Sequence, residues 1–495
     1  MVAGLAVLAV VFWPPLESPL RSPAERELYP AMDDDAPPDW QRWITAAGGT
    51  RHEVATPEQF RRAAQIVKPG DLVIIRNGRY ARWSLTVSRS GTAERPIVYT
   101  AERPNQGVRR GGGVVFTDTF RLRVTGDHNV IGGFVFEGIH GHDAIEFDGA
   151  SHNRFTDNQF FASGRDPYQR LVSVVNGADA NRFDHNLMSG NRSFGMAVVL
   201  PVDGKDTFAY SRRNRFDHNV FERIPTRGGK IPIQIGQYAN RHSRGETWTV
   251  IDHNEFRDCR VTVINSKSNR ELIAFNRFLG TGDAVAIALR AGNDKRVIGN
   301  RIVDAGTAMR IYGTGHEIVN NIIRGGRYAV QIPAWGDYSI GPQRLSTSGP
   351  TGGLLIAHNT IIGAQRHAVE VGRPWGYRRR EGYTIALSEP FDLRIVNNIF
   401  SGEQGVLVRI MSGASVVLQN NLYEVRGTAQ PGSRGTGSVM APAALDRDLA
   451  PRPGSPAVDR GVPLQEVPDD FFGAGRDRKP DLGAIERRVS HRGET

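Results

Sequence analysis

Three basic side chains, Lys267, Arg290 and Arg310, follow one another at separations of 23 and 20 residues. A chain that coils with about 20–25 residues per turn brings residues at this spacing onto one face. Strands on successive turns lie about 4.8 Å apart, so Lys267 and Arg290 are predicted to act on a single substrate group. A lysine beside arginines loses its proton near neutral pH, because like charge disfavours the ammonium form. The spacing therefore predicts a site that abstracts a proton.

The charge of the chain indicates what such a site would bind. The 495 residues carry a formal net charge of +10, and the pI is near 9.9. This balance predicts an anionic partner, which could be nucleic acid, a membrane surface or an acidic polymer. No nucleic-acid-binding motif is recognisable, and the arginines are scattered rather than gathered in a tail. We therefore expect an anionic polysaccharide as the partner, and no nucleic acid.

A uronic-acid polymer would give these residues a defined reaction. Cleavage by β-elimination removes the C5 proton, which is weakly acidic because C5 bears a carboxylate. The site must neutralise that carboxylate, supply a base and protonate the leaving O4. Lys267, with Arg290 one turn further, fits the base, and Arg310 is placed to hold a neighbouring carboxylate in a bidentate pair.

A repeated motif predicts the element that positions these residues. From about residue 127 an asparagine recurs, followed two residues later by Phe, Ile, Met or Tyr. Four intervals between these asparagines are 21 to 24 residues and the longest is 39. The asparagines are Asn158, Asn186, Asn219, Asn254, Asn276, Asn300, Asn321, Asn359, Asn398 and Asn421. A stacked asparagine bonds its neighbours above and below and tolerates a left-handed bend, so the motif predicts a right-handed parallel β-helix.

The remaining segments complete this all-β solenoid. Thr56, Pro57 and Glu58 predict the start of a short helix that covers the first turn. Three insertions, 189–213, 326–352 and 366–391, are predicted to protrude as loops, and two of them mix Trp, Tyr and Arg in a way that suits sugar binding. We divide the chain into 1–22, a signal peptide or anchor; 23–50, a linker; 51–425, the catalytic β-helix; and 426–495, a cap and tail.

The first residues suggest where the protein acts. An apolar run from Val2 to Trp13 is too short to span a bilayer comfortably but suits the core of a signal peptide. A basic start and a clear cleavage site are missing, so an anchor stays open as the alternative to a signal peptide. We expect a secreted or periplasmic bacterial protein with no stable membrane insertion beyond such an anchor. The single cysteine, Cys259, excludes an internal disulfide and is expected to be a buried apolar residue.

Three segments carry a resemblance to a known family. The stretch that contains SKSN around Lys267, then ALRAG around Arg290 and AMRIYG around Arg310, resembles polysaccharide lyase family 6, which includes alginate lyases and chondroitinase B. The segments PGDLVIIRNGRY, GTAERPIVYTAE and DHNVIGGFVFEG are similar to the opening turns of that family. The resemblance covers roughly residues 50–425 and is most specific between 230 and 325.

The resemblance implies roles for individual residues. Lys267 matches the catalytic base of the family, Arg290 matches the acid, and Arg310 matches a further substrate-binding arginine. Gln234, Tyr312 and His316 belong to the same segments and are additional candidates for substrate binding.

One departure from the family concerns its metal. The family places two carboxylates seven and five residues before the lysine, and they hold a calcium ion that neutralises the substrate carboxylate. Here these positions are Arg260 and Thr262. Calcium prefers several oxygen ligands, usually including carboxylates. The hypothesis is that no metal cofactor is needed and that Arg260 neutralises the carboxylate directly.

These observations favour a lyase that cleaves an acidic polysaccharide, with alginate as the preferred substrate and no calcium requirement. Two alternatives stay open from the sequence. A uronate C5-epimerase would abstract the same proton and return it to the opposite face without cleaving the chain. A non-catalytic β-helix would bind the polymer through its basic groove and release no unsaturated ends.

Overall fold

The computed structural model describes residues 39–40, 43–44, 48–104, 113–141, 143–164, 169–200, 209–227, 229–236, 245–340, 343–344, 350–374, 383–411 and 413–487. The predicted signal peptide or anchor at 1–22 and most of the predicted linker at 23–50 lie outside these residues. None of the helices within them has the length and apolar character needed to cross a bilayer.

The asparagine repeat builds the coil as predicted. Asn254 illustrates the pattern: its side-chain amide donates to Asn276 Oδ1 at 3.0 Å and to the Phe216 carbonyl at 2.8 Å. All ten asparagines of the repeat are at most 1% exposed, so these buried amides depend on one another for hydrogen bonds. The left-handed residue is the one before each asparagine, for example His253 at φ 53°. Our assignment of the left-handed bend to the asparagine itself was wrong by one position.

Each turn contributes strands to three rows, and neighbouring turns pair in parallel. Row one is a 14-stranded sheet. Its strands are β1 (Arg51–Val54), β2 (Leu72–Ile75), β5 (Ile97–Ala101), β8 (Asn129–Gly132), β11 (Arg154–Thr156), β14 (Arg182–Asp184), β17 (Arg215–Asp217), β20 (Val250–Asp252), β23 (Leu272–Ala274), β25 (Arg296–Ile298), β27 (Glu317–Val319), β31 (Gly352–Ala357), β35 (Phe391–Val396) and β38 (Val416–Gln419).

Row two follows the bend that carries the asparagine repeat. It contains β3 (Gly78–Ala81), β6 (Val114–Thr119), β9 (Phe134–His140), β12 (Gln159–Phe161), β15 (Leu187–Ser189), β18 (Val220–Glu222), β21 (Glu255–Arg257), the first parts of β24 (Arg277–Leu289) and β26 (Arg301–Ile311), β28 (Ile322–Arg324), β32 (Thr360–Ile362), β36 (Ile399–Gly402), β39 (Leu422–Val425) and β41 (Val439–Met440). The apolar residue of each repeat points inward from this row, and Phe256 and Phe278 stack at 4.8 Å.

Row three completes the turn and carries the residues of interest. It contains β4 (Ser84–Val87), β7 (Arg121–Val124), β10 (Ile145–Asp148), β13 (Arg170–Val175), β16 (Phe194–Val198), β19 (Ile233–Ile235), β22 (Ile264–Ser266), the second parts of β24 and β26, β29 (Tyr328–Ile340), β33 (His367–Pro374), β37 (Val406–Ile410) and β40 (Gln430–Gly432). Together with the helix below, these rows confirm the parallel β-helix.

The predicted loop insertions contain strands of row three. β16, β29 and β33 lie in 189–213, 326–352 and 366–391, so the prediction that these stretches are simply loops was wrong. The repeat motif marks the bend before row two, and row three has no comparable signature. β29 also extends beyond the row, where it pairs antiparallel with β30 (Gln343–Arg344) and β34 (Tyr383–Ser388).

Both ends of the coil are covered. Helix α1 spans Pro57–Ile66, and Thr56 accepts a hydrogen bond from the Gln59 amide at 3.2 Å, which confirms the predicted N-cap. Phe60 packs its ring on Tyr99 at the open first turn. The end of the predicted linker is also packed, because Trp40 donates to Asp157 at 2.8 Å.

The C-terminal segment does more than close the last turn. β40 and β41 extend rows three and two, and the chain then runs back along the outside of the coil. Phe471 belongs to a buried cluster that includes Ile322, and Val467 belongs to one that includes Val319 and Leu355, several turns before the end. Arg476 is buried in this segment and donates to Glu486 and to Asn320, each at 2.9 Å. The segment is therefore a strap along the coil as well as a cap.

Candidate active site

Lys267 and Arg290 directly follow neighbouring strands of row three. Ser266 ends β22 and pairs in register with Leu289, which ends β24. The Arg290 amide donates to the Ser266 carbonyl at 2.8 Å, so the parallel ladder continues past the strand ends. Ser266 and Leu289 are fully buried, and the residue after each therefore emerges on the outer face. Lys267 and Arg290 thus stand about one strand spacing, 4.8 Å, apart along the coil.

Arg310 is offset from this pair. Within β26 it pairs with Ala288, two residues before Arg290, and the position level with Arg290 is taken by Tyr312. Residues two apart in a strand share a face, so Arg310 still lies on the same surface. Its guanidinium donates to Gln331 Oε1 at 3.3 Å on the next turn. We expected the three cations to form one line along the coil. Lys267 and Arg290 are in line, whereas Arg310 lies diagonally from them.

The surroundings of Lys267 make it easier to deprotonate than an ordinary lysine. Burial lowers the pKa of Lys267 to about 8, and the neighbouring positive charge of Arg290 adds to the shift. Burial also lowers the pKa of Arg310, with Arg290 acting in the same direction. Arg290 itself is exposed and lies within interaction range of both. A lysine with this pKa is partly deprotonated at mildly alkaline pH and can serve as a base.

A row of mostly polar side chains, which includes Arg310, occupies one register position beside Lys267 and Arg290, and it was not predicted as a set. Gln234, Asn265, Ala288, Arg310, Gln331 and Glu370 occupy the same register position on successive turns. Gln331 donates to Glu370 at 3.0 Å, and Gln234 donates to the Gly236 carbonyl at 3.0 Å. Asn265 Oδ1 is buried, and no hydrogen-bond donor reaches it within the described residues.

Asn265 lies two residues before Lys267, on the same face. An unsatisfied buried oxygen beside a base is the kind of group that a bound hydroxyl would complete. The sequence signal for it was only this two-residue spacing, and sequence reasoning missed it.

His316 does not fit the role predicted for it. It is fully buried, its Nε2 faces the Tyr312 carbonyl at 2.9 Å, and its Nδ1 accepts from the Lys295 amide at 3.0 Å. Burial lowers the pKa of His316 to about 3, and Lys295 adds to the shift. With both ring nitrogens engaged, His316 cannot contact substrate in this structure. Tyr312 is only 2% exposed, and Gln234 only 8%, so each offers little surface to a ligand.

The residues at the positions of the family's calcium ligands do not suit a cation. Arg260 is 60% exposed and donates to Asp258 Oδ1 at 2.7 Å, and Thr262 supplies a single neutral oxygen. In the described part of the chain no group of three or more His, Cys, Asp or Glu side chains could hold a metal. A positive guanidinium where a calcium carboxylate is expected opposes binding of that ion. Cys259, the neighbour of Arg260, is buried as expected.

The fold and the family are shared with known proteins. A sequence profile described as chondroitinase B matches residues 54–438. The structure of the family 6 alginate lyase AlyGC superposes with a TM-score of 0.67 at 22% identity, over 90% of this chain and 59% of that one. A mannuronic-acid-specific family 6 lyase from human gut microbiota gives 0.61 at 20% identity, over 76% and 86% of the two chains. A family 6 lyase from Pseudopedobacter saltans gives 0.60 at 15%, over 86% and 98%.

No curated protein sequence matches the chain. The chain spans 59% of the length of AlyGC, which is less than two thirds. The profile match nevertheless covers most of the 495 residues, including every strand that carries the candidate site. On this evidence the chain belongs to the chondroitinase B family, the polysaccharide lyases of family 6.

Proposed function

We propose that this protein cleaves a uronate-containing polysaccharide by β-elimination, with alginate as the preferred substrate. The observation that carries the proposal is the placement of Lys267, whose pKa is lowered to about 8 by burial and by Arg290 on the adjacent strand. Two family 6 proteins of similar structure are named as an alginate lyase and a mannuronic-acid-specific lyase, which favours alginate. The net charge of +10 suits a polyanion.

The reaction assigns one step to each residue. Neutral Lys267 removes the C5 proton, and the C–H electron pair forms the C4–C5 double bond as the C4–O4 bond breaks. Arg290 donates a proton to O4. A guanidinium is a weak acid, but a leaving alkoxide is a stronger base than a neutral guanidine, so the transfer becomes favourable as the bond breaks. Lys267 and Arg290 then return to their starting forms by proton exchange with water.

The substrate carboxylate must be neutralised for C5 to become acidic. We assign this role to Arg260, assisted by Arg310, in place of a metal. The ion pair of Arg260 with Asp258 is exposed and therefore contributes little, so exchange of that partner for a substrate carboxylate is inexpensive. Action on an extracellular polymer requires export, so we retain the expectation of a secreted or periplasmic protein.

The test is the ultraviolet absorbance of the unsaturated uronate product. Alginate, dermatan sulfate, hyaluronan and pectate would each be incubated with the protein, in EDTA and in calcium. We expect absorbance to rise on alginate in both conditions and to be abolished by Lys267→Ala. The matched control is Lys68→Ala, which removes an exposed lysine next to α1 and should leave the rate unchanged.

Two results would contradict the proposal. Absence of product from every polymer would exclude a lyase acting on these substrates. If proton nuclear magnetic resonance then showed altered uronate composition, an epimerase would replace it, and polymer binding without any chemical change would identify a binding protein. Activity that disappears in EDTA and returns with calcium would refute only the metal-free role of Arg260, and the lyase proposal would stand.

A further inference from the structure

A column of buried polar side chains precedes the strands of row one. Its first four positions are Asn129, Asn153, Asn181 and Asn214, each at most 2% exposed. These asparagines bond from turn to turn, as when the Asn181 amide donates to Asn214 Oδ1 at 3.0 Å. Thr249 follows, and the next three positions are Glu271, Lys295 and His316, all fully buried. The column therefore changes from neutral to ionisable side chains at Glu271.

The change falls on the turns that carry the candidate site. Glu271, Lys295 and His316 come four, five and four residues after Lys267, Arg290 and Tyr312 respectively. Each column residue thus closes the bend that leads from a site residue to row one. In the upstream turns, where asparagine occupies the column, row three carries no lysine.

Each of the three side chains holds the bend within its own turn. Glu271 accepts from the hydroxyl of Ser268, the residue directly after Lys267. Lys295 donates to the carbonyl of Ala291, the residue directly after Arg290. His316 Nε2 bonds the Tyr312 carbonyl at 2.9 Å. The shorter asparagines bond instead to the carbonyl two residues back and to the adjacent turn, as Asn214 does with Arg212 at 2.9 Å.

The three bends are also joined to one another. Lys295 Nζ lies 3.8 Å from Glu271 Oε2, and the Lys295 amide donates to His316 Nδ1 at 3.0 Å. The backbones are packed closely enough that a Cβ on Gly292, at φ 83°, would lie 1.8 Å from the Ser268 carbonyl oxygen. A displacement of one bend is therefore transmitted to the next.

Stability alone does not account for this choice of residues. Burial raises the pKa of Glu271 and lowers that of Lys295 to about 8, so both charges are disfavoured where they stand. A buried ion pair often contributes less stability than neutral side chains of similar volume. The four asparagines upstream show that a neutral solution fits the same column in this fold. The costlier residues occur where two reacting groups must be held at a fixed separation.

We propose that Glu271, Lys295 and His316 are positioning residues, which fix the bends behind Lys267, Arg290 and Tyr312 and thereby set the separation of base and acid. The inference rests on the proposed function of Lys267 and Arg290. Proton abstraction and proton donation on one sugar ring require both groups at hydrogen-bond distance at once, and a misplacement of about 1 Å can lower a rate a hundredfold.

The test replaces the three ionisable residues of the column with the asparagine that fills its first four positions. Glu271→Asn, Lys295→Asn and His316→Asn would be combined, and a second variant would pair Glu271→Gln with Lys295→Met, which keeps volume and removes charge. Because neutral residues fill the column, we expect folded proteins with a Tm near that of the unaltered chain. We expect kcat on alginate to fall about tenfold to a hundredfold with little change in KM.

The matched control is Asn181→Thr, in the same column but away from the site. It removes the bond to Asn214 and should lower Tm while leaving kcat unchanged. If Glu271, Lys295 and His316 had a purely structural role, their variants would behave like this control and change Tm without changing kcat. Retention of full kcat in both folded column variants would overturn the inference.

A second measurement does not depend on turnover. The chain has six lysines, so lysine labelled with carbon-13 at Cε gives a simple spectrum in which Lys267→Arg identifies the resonance of Lys267. Burial lowers the pKa of Lys267 most and Arg290 adds to the shift, so we expect the column variants to raise this pKa by the part that Arg290 contributes. An unchanged pKa would overturn the inference. If the unaltered protein formed no unsaturated product while this pKa still rose, the proposed function would fail and the positioning role would stand.

Discussion

Two regions of this coil bury cations in opposite ways. In the turns before the site, row one carries Arg154, Arg182 and Arg215, each paired with an aspartate of the following turn. Arg215 is 1% exposed and donates to Asp252 at 2.7 Å. In row three, the neighbour that shifts the pKa of Lys267 is another cation, Arg290.

The two groups of cations differ in the direction in which their surroundings shift the pKa. Asp217 and other nearby groups outweigh burial and raise the pKa of Arg182, whereas burial and like charge lower the pKa of Lys267 and Arg310. An arginine that is neutralised by an internal carboxylate attracts an anionic ligand only weakly. Cations grouped with one another are stabilised when a polyanion binds. We therefore expect substitutions in row one to affect folding and substitutions in row three to affect catalysis.

The largest effect is expected from Lys267→Arg, which keeps the charge and removes the base. Arginine does not lose its proton in proteins, so we expect kcat to fall about 10³- to 10⁴-fold while polymer binding persists. Product absorbance measures the first quantity and calorimetric titration with oligosaccharide the second. Lys68→Arg is the exposed control. A Lys267→Arg enzyme with more than a tenth of the original kcat would exclude proton abstraction by this residue.

The next largest effect is expected on stability, from the buried arginine–aspartate pairs of row one. Asp252→Asn removes the nearer counter-charge of the buried Arg215 and leaves only Asp217, at 3.6 Å, so it should lower the free energy of unfolding by up to about 3–5 kcal/mol. Urea denaturation measures the change, and kcat of the remaining folded protein should be unaltered. Asp179→Asn is the matched control, because its pair with Arg213 is partly exposed to solvent and is worth less than about 1 kcal/mol. Equal destabilisation by both variants would contradict the role given to burial.

Arg290→Gln tests the coupling between the two site residues. Loss of the acid should lower kcat about tenfold to a hundredfold. Loss of its positive charge should also raise the pKa of Lys267, so the rise of activity with pH should move toward alkaline values. The pH dependence of kcat/KM measures this shift. A profile that keeps its midpoint would show that Arg290 does not act on the lysine.

The unaltered protein should show a one-sided pH dependence. The base must be neutral, and the pKa of Lys267 is about 8 in the free protein. Activity should therefore increase about tenfold per pH unit below that value and level off above it. A pH series of kcat/KM, made with the stability of the protein checked at each pH, provides the measurement. Activity that falls as pH rises from 6 to 8 would require a different base.

The smallest effect is expected from chelation. Arg260 and Thr262 stand where the family resemblance leads us to expect calcium-binding carboxylates, so we expect EDTA to change the rate by less than about twofold. By contrast, Arg260→Ala should raise KM, because the substrate carboxylate would lose its positive partner. Rates measured with and without EDTA, and substrate saturation curves for the variant, test the two statements. A calcium-stimulated Arg260→Ala protein would show that some other group binds a metal.

Part of the fold followed directly from side-chain chemistry. Asparagine amides, inward phenylalanines and the Thr56 cap are local signals, and each was confirmed where the structure describes it. The adjacency of Lys267 and Arg290 also followed, because 23 residues make one complete turn here. The roles of these two residues as base and acid stay predictions.

Other features depended on how turns register with one another. Arg310 lies two places from the expected position because the next turn is complete at Tyr312, and bulges within β24 absorb the difference. The strands of row three have no motif, so three of them were taken for loops. The burial of His316 and the path of the C-terminal strap depend on contacts with residues of other turns, which no local pattern reveals.

The sequence by itself determined a parallel β-helix, a net positive charge and a lysine and an arginine one turn apart, because periodicity and residue type are properties of the chain. Only the tertiary structure decided that Lys267 is half-buried beside Arg290, that His316 lies in the interior, and that an asparagine column becomes Glu271, Lys295 and His316 behind the site. The physical reason is that a pKa, a register and a buried contact depend on distances between turns, and those distances are fixed only when the coil is packed.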